Sequence, residues 1–243
     1  MRDLSPAELL DIWDRGQGRH PVDRALLLLS AARNGDGEPD ALPLGEANRR
    51  LLELRARAFG PRLEVRVDCP ACGERLELSL ETADLASPAP PADPRADVLL
   101  ERNGWRVAFR LLTPADLRAA AAHGGEDAVR AALVRLAVRE AARDGQAVDP
   151  AALPDDVLSA VGARLLESDP LAEMLLEMAC PACAATWEAP LEPADFLWTE
   201  LEAEASRLLR EVHALALAYG WTEPQVLALP APRRRAYLEM VGA

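Results

Sequence analysis

Apolar residues in the first sixty positions recur with the three-to-four-residue spacing of amphipathic helices. The stretch Ser5–Glu8 predicts a helix start, because serine caps the helix, proline occupies its first position and glutamate reaches back to the cap. A short helix through Trp13 is expected to follow. Further helices are predicted over Pro21–Arg33, where Asn34–Gly37 ends the pattern, and over Glu46–Phe59.

The period then changes to the alternation of β-strands. Apolar side chains alternate with charged or polar ones over Leu63–Val67 and again over Leu76–Leu80. Because a short cysteine-containing turn joins these two strands, they are expected to form a hairpin. Further alternating strands are predicted over Trp105–Leu111 and over Trp187–Leu191.

The remaining pattern is mainly helical. Residues 86–97 carry four prolines without periodicity, so they are expected to form an extended linker. Helices are predicted over Arg118–Ala122, Asp127–Ala142 and Asp155–Glu167, after Thr222, and over Arg233–Met240. A long helix is predicted from Pro193, and its apolar stripe is either a core face or a partner-binding groove. The stripe consists of Leu197, Leu201, Leu208, Val212, Leu215 and Tyr219.

One seventeen-residue pattern occurs twice, as CPACGERLELSLETADL at 69–85 and as CPACAATWEAPLEPADF at 180–196. The two copies contain every cysteine of the chain, namely Cys69, Cys72, Cys180 and Cys183. Two residues between cysteines let both sulfurs of a tight turn point at one ion, and two such turns complete the tetrahedral four-thiolate site that structural zinc prefers. The sequence therefore predicts one structural Zn²⁺ site, built from two halves more than a hundred residues apart.

Three other interpretations of the cysteines remain open. Iron in the same four-thiolate site is one, a metal-free pair of hairpins is another, and redox chemistry of each CxxC pair is the third. Redox chemistry is the weakest, because no tryptophan precedes either pair and no histidine follows, the positions after the pairs being Gly73 and Ala184. A four-cysteine site also leaves no open coordination position, which disfavours a catalytic metal.

Composition narrows the class of protein. Half of the 243 residues are apolar, so a packed core is expected, and the formal net charge of −13 disfavours a protein that mainly binds nucleic acid. The basic run Arg233–Arg235 is short and is expected to be a solvated helix face. The amino terminus lacks the pattern of a signal peptide and no apolar run is long enough to cross a membrane, so a cytoplasmic protein without membrane insertion is predicted.

No catalytic constellation is evident. The chain contains no G-x-S-x-G, no G-x-x-x-x-G-K and no G-x-G-x-x-G after a predicted strand. Its three histidines, His20, His123 and His213, lie in no recognisable catalytic setting. We therefore predict that the protein is not an enzyme and has no small-molecule substrate.

The tail and several internal segments resemble a known family. The segments are Leu42–Gly45, Phe59–Pro61, Val107–Leu111, Thr113–Leu117, Glu211–His213, Leu217–Trp221 and Arg234–Tyr237. In these segments, the chain is similar to the T4-type baseplate or baseplate-hub assembly chaperones of contractile phage tails and contractile injection systems. The resemblance covers the last fifty residues with most specificity. It implies a non-enzymatic role in baseplate assembly, either as a transient chaperone or as a permanent component, with hub or spike proteins as partners.

Together these observations predict a mainly α protein with a small β zinc ribbon, an α+β fold in which two CxxC hairpins form one Cys₄ site around a helical insertion. The predicted segments are 1–60 (N-terminal helices), 61–85 (first ribbon half), 86–97 (Pro-rich linker), 98–170 (strand plus helical insertion), 171–192 (second ribbon half) and 193–243 (C-terminal helices). The predicted function is protein–protein binding in baseplate assembly, in the cytoplasm or on the assembled phage-tail-like particle. The alternative is a zinc-ribbon adaptor that binds nucleic acid or the transcription machinery.

Overall fold

The computed structural model describes residues 4–32, 38–87 and 96–242. Helices make up 55% of the structure and strands 19%, the strands lying in small antiparallel sheets. This confirms an α+β fold in which helix predominates. Most of the predicted linker at 86–97, and the predicted turn Asn34–Gly37, lie outside the described residues.

The elements of the described residues are as follows. The α-helices are α1 (Pro6–Gly16), α2 (Pro21–Ala31), α3 (Leu44–Phe59), α4 (Thr82–Leu85), α5 (Pro114–Ala120), α6 (Glu126–Ala137), α7 (Asp155–Ser168), α8 (Pro193–Tyr219), α9 (Glu223–Leu227) and α10 (Ala231–Val241). The strands are β1 (Arg62–Asp68), β2 (Arg75–Glu81), β3 (Val98–Arg102), β4 (Trp105–Phe109), β5 (Val138–Arg143), β6 (Gln146–Val148), β7 (Leu175–Ala179) and β8 (Thr186–Pro190). Two short 3-10 helices lie at Pro39–Ala41 and Pro150–Ala152.

The chain divides into two compact units. The first unit joins the two ends of the chain, Met1–Asn34 and Ala194–Ala243, and the second unit is the continuous segment Gly35–Pro193. Both cysteine pairs belong to the second unit.

The first unit is helical and begins as the sequence predicts. The backbone N–H of Glu8 donates to Ser5 Oγ, and the backbone N–H of Ser5 donates to Glu8 Oε2, so the predicted capping box of α1 is present. One core cluster of this unit consists of Leu10, Ala205, Leu208 and Leu227, with Trp13 and Val212 packed against it.

The apolar stripe of α8 is mainly core. Its members Leu197, Leu201, Leu208 and Leu215 are buried, whereas Tyr219 is 39% exposed. The basic run Arg233–Arg235 is only partly solvated, which corrects the sequence prediction for its middle residue. Arg234 is buried, and its Nε donates to Glu211 Oε2 while its guanidinium also donates to the carbonyl of Leu229. These contacts offset the free-energy cost of burying the charged guanidinium of Arg234.

The second unit contains a four-stranded antiparallel sheet in the order β3-β4-β5-β6. The prediction of one helix over Asp127–Ala142 is wrong in its last third, because α6 ends at Ala137 and β5 begins at Val138. Pairing of β5 with β4 and with β6 satisfies the backbone of residues 138–143. The strand that precedes β4 was also absent from the sequence prediction.

Two-residue turns close both hairpins of this sheet. Asn103 and Gly104 connect β3 to β4, and Asp144 and Gly145 connect β5 to β6. All four residues have positive φ angles, the arrangement of type I′ turns, for which Asn-Gly and Asp-Gly are the preferred pairs. The sheet packs against α6 and α7 through a core that consists of Trp105, Val107, Phe109, Val134, Ala137, Ala141, Leu153, Val157, Leu158, Val161 and Leu165.

Candidate metal centre

Two antiparallel hairpins carry the cysteine pairs at their turns. Strand β1 pairs with β2 over Arg62–Glu81, and strand β7 pairs with β8 over Leu175–Pro190. The sequence repeat extends to the register, because Val67 faces Leu76 in the first hairpin and Met178 faces Trp187 at the matching position of the second. The predicted order of strand, cysteine turn and strand is therefore confirmed in both copies.

The two cysteine turns, residues 69–74 and 180–185, have the same backbone hydrogen bonds and are called knuckles below. In the first, the N–H of Cys69 donates to the carbonyl of Glu74 (2.8 Å), and the N–H of Gly73 donates to the carbonyl of Cys69 (2.9 Å). In the second, the N–H of Cys180 donates to Ala185 and the N–H of Ala184 donates to Cys180, both at 2.9 Å. The repeated sequence thus folds into repeated geometry.

The four sulfurs converge at one point. The Sγ atoms of Cys69 and Cys183 are 3.7 Å apart, those of Cys72 and Cys180 are 3.6 Å apart, and all four lie within 4.8 Å of one another. A tetrahedron with zinc–sulfur bonds of about 2.3 Å has edges of about 3.8 Å, so the shorter contacts match a four-thiolate metal site. The sulfurs are too far apart for disulfide bonds, and the cysteines are free. This cluster can hold one metal ion.

Each knuckle presents one buried and one exposed cysteine. Cys69 and Cys180 are each 3% exposed, whereas Cys72 and Cys183 face solvent. An ion at the centre would therefore be shielded on the side of the protein and reachable from outside.

Electrostatics within the cluster favour binding of a cation. Burial acts to raise the pKa of Cys69, but the backbone N–H groups of Cys72 and Ala71 and the neighbouring thiols lower it to about 7. The backbone N–H of Glu74 opposes a rise in the pKa of Cys72, yet the thiols of Cys183, Cys180 and Cys69, together with desolvation, raise it to about 12.

The pKa of Cys183 is raised as well. The backbone N–H of Ala185 and the thiol of Cys72 act to lower it, but desolvation and the sulfurs of Cys180 and Cys69 outweigh them. The negative charge of one thiolate, formed near neutral pH, therefore disfavours ionisation of the thiols beside it. A bound cation removes this repulsion and lets every sulfur deprotonate, so the donor set fits a divalent metal ion.

Helix α3 forms hydrogen bonds near both halves of the candidate metal centre. At its N-terminus, the N–H of Gly45 donates to Asp169 Oδ2 (2.9 Å), and Asn48 Nδ2 donates to the carbonyl of Leu171 (2.8 Å), close before β7. Near its C-terminus, the guanidinium of buried Arg55 donates to the carbonyls of Gly60 and Arg62, at the start of β1. One helix therefore contacts the segments that lead into both hairpins.

The carboxylate of Asp169 is 4% exposed. Burial raises its pKa, the N–H of Gly45 opposes this change, and the charge of Glu46 adds to it. No local sequence pattern identified this residue, because its hydrogen-bond partner lies 124 positions away.

A second polar anchor lies at the start of α5. The guanidinium of Arg110 contacts both oxygens of Asp116 (2.6 and 2.7 Å), and it also donates to the carbonyls of Leu111 and Leu136. Asp116 in addition accepts from the backbone and hydroxyl of Thr113. Burial acts to raise the pKa of Asp116, but Arg110 and Thr113 lower it overall. The sequence analysis did not predict this ion pair.

The histidines take no part in the cluster. His20 caps α2, with Nδ1 accepting from the N–H of Val22, and a ring nitrogen of His123 lies 3.1 Å from the carbonyl of Ala120. Across the ranges 4–32, 38–87 and 96–242, the four cysteines are the group of ligating side chains close enough to share an ion.

No protein-family model, curated protein sequence or solved structure matches the chain. Among the described helices, none combines the length and the apolar character that a membrane span requires.

Proposed function

We propose that the four cysteines bind one structural Zn²⁺ and that the two hairpins form a split zinc ribbon. The observation that carries this proposal is the convergence of four sulfurs from two knuckles with the same backbone hydrogen bonds, with cross-knuckle distances of 3.6 and 3.7 Å. Four protein ligands close the coordination shell, which is the arrangement of structural rather than catalytic zinc. Backbone N–H groups that point at the sulfurs support the site, as outer-shell donors do in other metal centres.

The proposed ion joins two parts of the chain. Cys72 and Cys180 are 108 positions apart, and the sheet of β3 to β6 lies between them in sequence. In isolated zinc-finger peptides, structural zinc binds with an apparent free energy of about 10 to 16 kcal/mol. Even a fraction of that free energy would make the fold of residues 35–193 depend on the metal.

Metal content tests the proposal directly. Purified wild type and Cys180→Ser are compared by elemental mass spectrometry and thermal unfolding, with Ala182→Ser as the control because Ala182 is exposed in the same knuckle and offers no ligand. We expect one zinc per chain in the wild type and in the control, and loss of zinc with a lower Tm in Cys180→Ser. Equal metal content in all three proteins would contradict a shared ion. A content of one iron per chain would support the four-cysteine site, with iron as the bound metal in place of zinc.

For the whole protein we propose a non-enzymatic role in protein binding, in baseplate assembly of a phage-tail-like contractile injection system. The closed coordination shell supports this role because it leaves no position for a substrate. The net charge of −13 and the resemblance of residues 211–237 to baseplate and hub assembly chaperones also support it.

Affinity purification from cells that produce the particle tests this role. We expect baseplate, hub or spike proteins to copurify with the wild type, and we expect deletion of the gene to prevent assembly of a functional particle. A particle that assembles and contracts normally without the gene would contradict the role. A salt-sensitive mobility shift of DNA or RNA would instead favour an adaptor of nucleic acid.

A further inference from the structure

Helix α3 contacts the base of each cysteine hairpin, at the end opposite the knuckle. Its N-terminal half holds the second hairpin, because Asn48 Nδ2 donates to the carbonyl of Leu171 (2.8 Å). Its C-terminal half holds the first hairpin, because the buried guanidinium of Arg55 donates to the carbonyls of Gly60 (2.7 Å) and Arg62 (2.5 Å). The two attachment points therefore lie roughly 10 Å apart along one helix axis.

A close backbone approach reinforces the attachment of the second hairpin. The N–H of Gly45 donates to Asp169 Oδ2 (2.9 Å). A Cβ atom at Gly45 would lie 1.9 Å from Asp169 Oδ1 and 3.1 Å from the Cβ of Leu171. The start of α3 thus packs directly against the segment that leads into β7, and glycine at this position permits the contact.

Backbone hydrogen bonds close the base of each hairpin. In the first hairpin the N–H of Thr82 donates to the carbonyl of Pro61 (2.9 Å), and in the second the N–H of Leu191 donates to the carbonyl of Met174 (2.8 Å). Continuous strand pairing then connects each base to its knuckle. Each hairpin is therefore expected to move as one body with its base.

The length of the hairpins amplifies any movement at the base. The seven residues of β1 span about 23 Å, so a tilt of about 5° at the base moves the knuckle by about 2 Å. Metal–ligand distances vary by only about 0.2 Å around their ideal values. The orientation of both bases on α3 therefore decides whether four sulfurs can reach one ion.

Resting on the proposed metal site, we infer that Asn48 and Arg55 are positioning residues for that site, which hold the two hairpins on α3 before an ion binds. They act through the orientation of the hairpins rather than as ligands. Metal binding then costs less conformational entropy, because the ion joins knuckles that already lie close together. The free energy of a lost hydrogen bond limits the resulting loss of affinity to roughly two- to tenfold.

Hydrogen exchange of the metal-free protein tests this arrangement independently of the ion. Zinc is removed with a chelator, and exchange is followed by mass spectrometry in wild type, Asn48→Ala and Arg55→Lys. We expect both hairpins to be protected in wild type. Exchange should become about fivefold faster over residues 171–191 in Asn48→Ala and over residues 60–82 in Arg55→Lys, with the sheet of β3 to β6 unchanged.

The matched control is Val161→Ala. Val161 is buried in the core between α7 and the sheet of β3 to β6, within the same compact unit. This variant should lose stability and exchange faster in the sheet, but both hairpins should stay as protected as in wild type. Free exchange of both hairpins in metal-free wild type would overturn the inference.

Zinc affinity of the same four proteins gives the second measurement. In competition with a chromophoric chelator, we expect Asn48→Ala and Arg55→Lys to bind Zn²⁺ roughly two- to tenfold more weakly than wild type and Val161→Ala to bind it equally well. Equal affinity in all four proteins would contradict the positioning role, and so would an equal loss in Val161→Ala. If none of the four proteins binds zinc, the proposed metal site itself fails, and the inference fails with it.

Discussion

Gly73 and Ala184 occupy the same position in the two knuckles, and both adopt left-handed backbone angles, with φ of 74° and 57°. The chain needs this conformation to return from the second cysteine of each pair into the following strand. Glycine adopts it freely, whereas an L-residue with a Cβ atom loses roughly 1 to 2 kcal/mol there. The second knuckle therefore stores strain that the first does not.

We predict opposite effects of exchanging these residues. Ala184→Gly should raise the free energy of unfolding by about 0.5 to 1 kcal/mol, and Gly73→Ala should lower it by about 1 kcal/mol, because only backbone strain changes. A Cβ atom at Gly73 would meet no atom within 4 Å, so steric overlap does not contribute. Chemical denaturation of both variants measures the effects, and changes of the same sign would contradict equivalence of the knuckles.

Metal binding should release protons. At pH 7, Cys72 and Cys183 retain their protons in the metal-free protein because their pKa values are raised. Both must ionise to bind zinc. We predict that calorimetric titrations with Zn²⁺ in buffers of different ionisation enthalpy give at least two protons released per ion at pH 7, and that the affinity falls with decreasing pH. Release of fewer than one proton would contradict a four-thiolate site.

A glycine in the first unit should be intolerant of a methyl group. A Cβ atom at Gly16 would lie 2.1 Å from the ring of Trp198, which is buried at 3% exposure. Overlap with a buried ring typically costs about 1 to 3 kcal/mol, so Gly16→Ala should lower the free energy of unfolding by that amount.

The matched control for this change is Gly162→Ala in α7. There the added Cβ would meet Val134 at 3.6 Å, an ordinary contact. Alanine in a helix is more stable than glycine by about 0.5 to 1 kcal/mol, so this variant should gain stability. Thermal unfolding compares the two, and a loss of stability in both would mean that packing around Gly16 is not the cause.

The contributions of two buried carboxyl groups to the free energy of unfolding should depend on pH in opposite directions. Arg110 and Thr113 lower the pKa of Asp116 against the effect of burial. Its contribution to stability is therefore fully present above the unfolded pKa of about 3.9 and is lost as the pH falls through the lower folded pKa. Asp116→Asn should cost about 2 to 3 kcal/mol at pH 7. The difference from wild type, measured by urea denaturation, should shrink below about pH 4.

Asp169 has the reverse sign. Burial and the charge of Glu46 raise its pKa, so folding favours the protonated form, and its contribution is fully present below the unfolded pKa and lost as the pH rises through the folded pKa. In Asp169→Asn the amide oxygen can still accept from the N–H of Gly45. We therefore expect wild type to lose stability relative to this variant as the pH rises from 3 to 7, roughly the range over which a carboxyl with a raised pKa titrates. A pH-independent difference would contradict the raised pKa.

Local sequence patterns predicted both knuckles and the strands that flank them. The C-P-A-C repeat and its alternating flanks specify turns and strands within a few residues, so both hairpins and the convergence of Cys69, Cys72, Cys180 and Cys183 follow from it. Strand β5 was missed because residues 138–142 consist mostly of good helix formers, and pairing with β4 overrides that preference. The Asp144-Gly145 turn was the local signal that could have identified it.

Contacts between distant residues could not be predicted in this way. The bond from Gly45 to Asp169 and the pair of Arg234 with Glu211 join residues far apart in sequence, and neither position has an unusual local pattern. Such pairs depend on the arrangement of whole helices, which periodicity alone does not determine. For the same reason, periodicity did not decide whether the apolar stripe of α8 is a core face or a partner-binding groove.

The separation of the two knuckles also sets a time scale for biosynthesis. Cys72 leaves the ribosome 108 residues before Cys180. At synthesis rates of about 5 to 20 residues per second, the first knuckle therefore waits roughly 5 to 20 seconds with only half of its ligands. On the proposed zinc site, a half-site of two sulfurs would bind metal only weakly during that interval. Capture of the proposed ion would then belong to the end of the synthesis of residues 35–193, and metal supply at that moment would decide whether the two hairpins become joined.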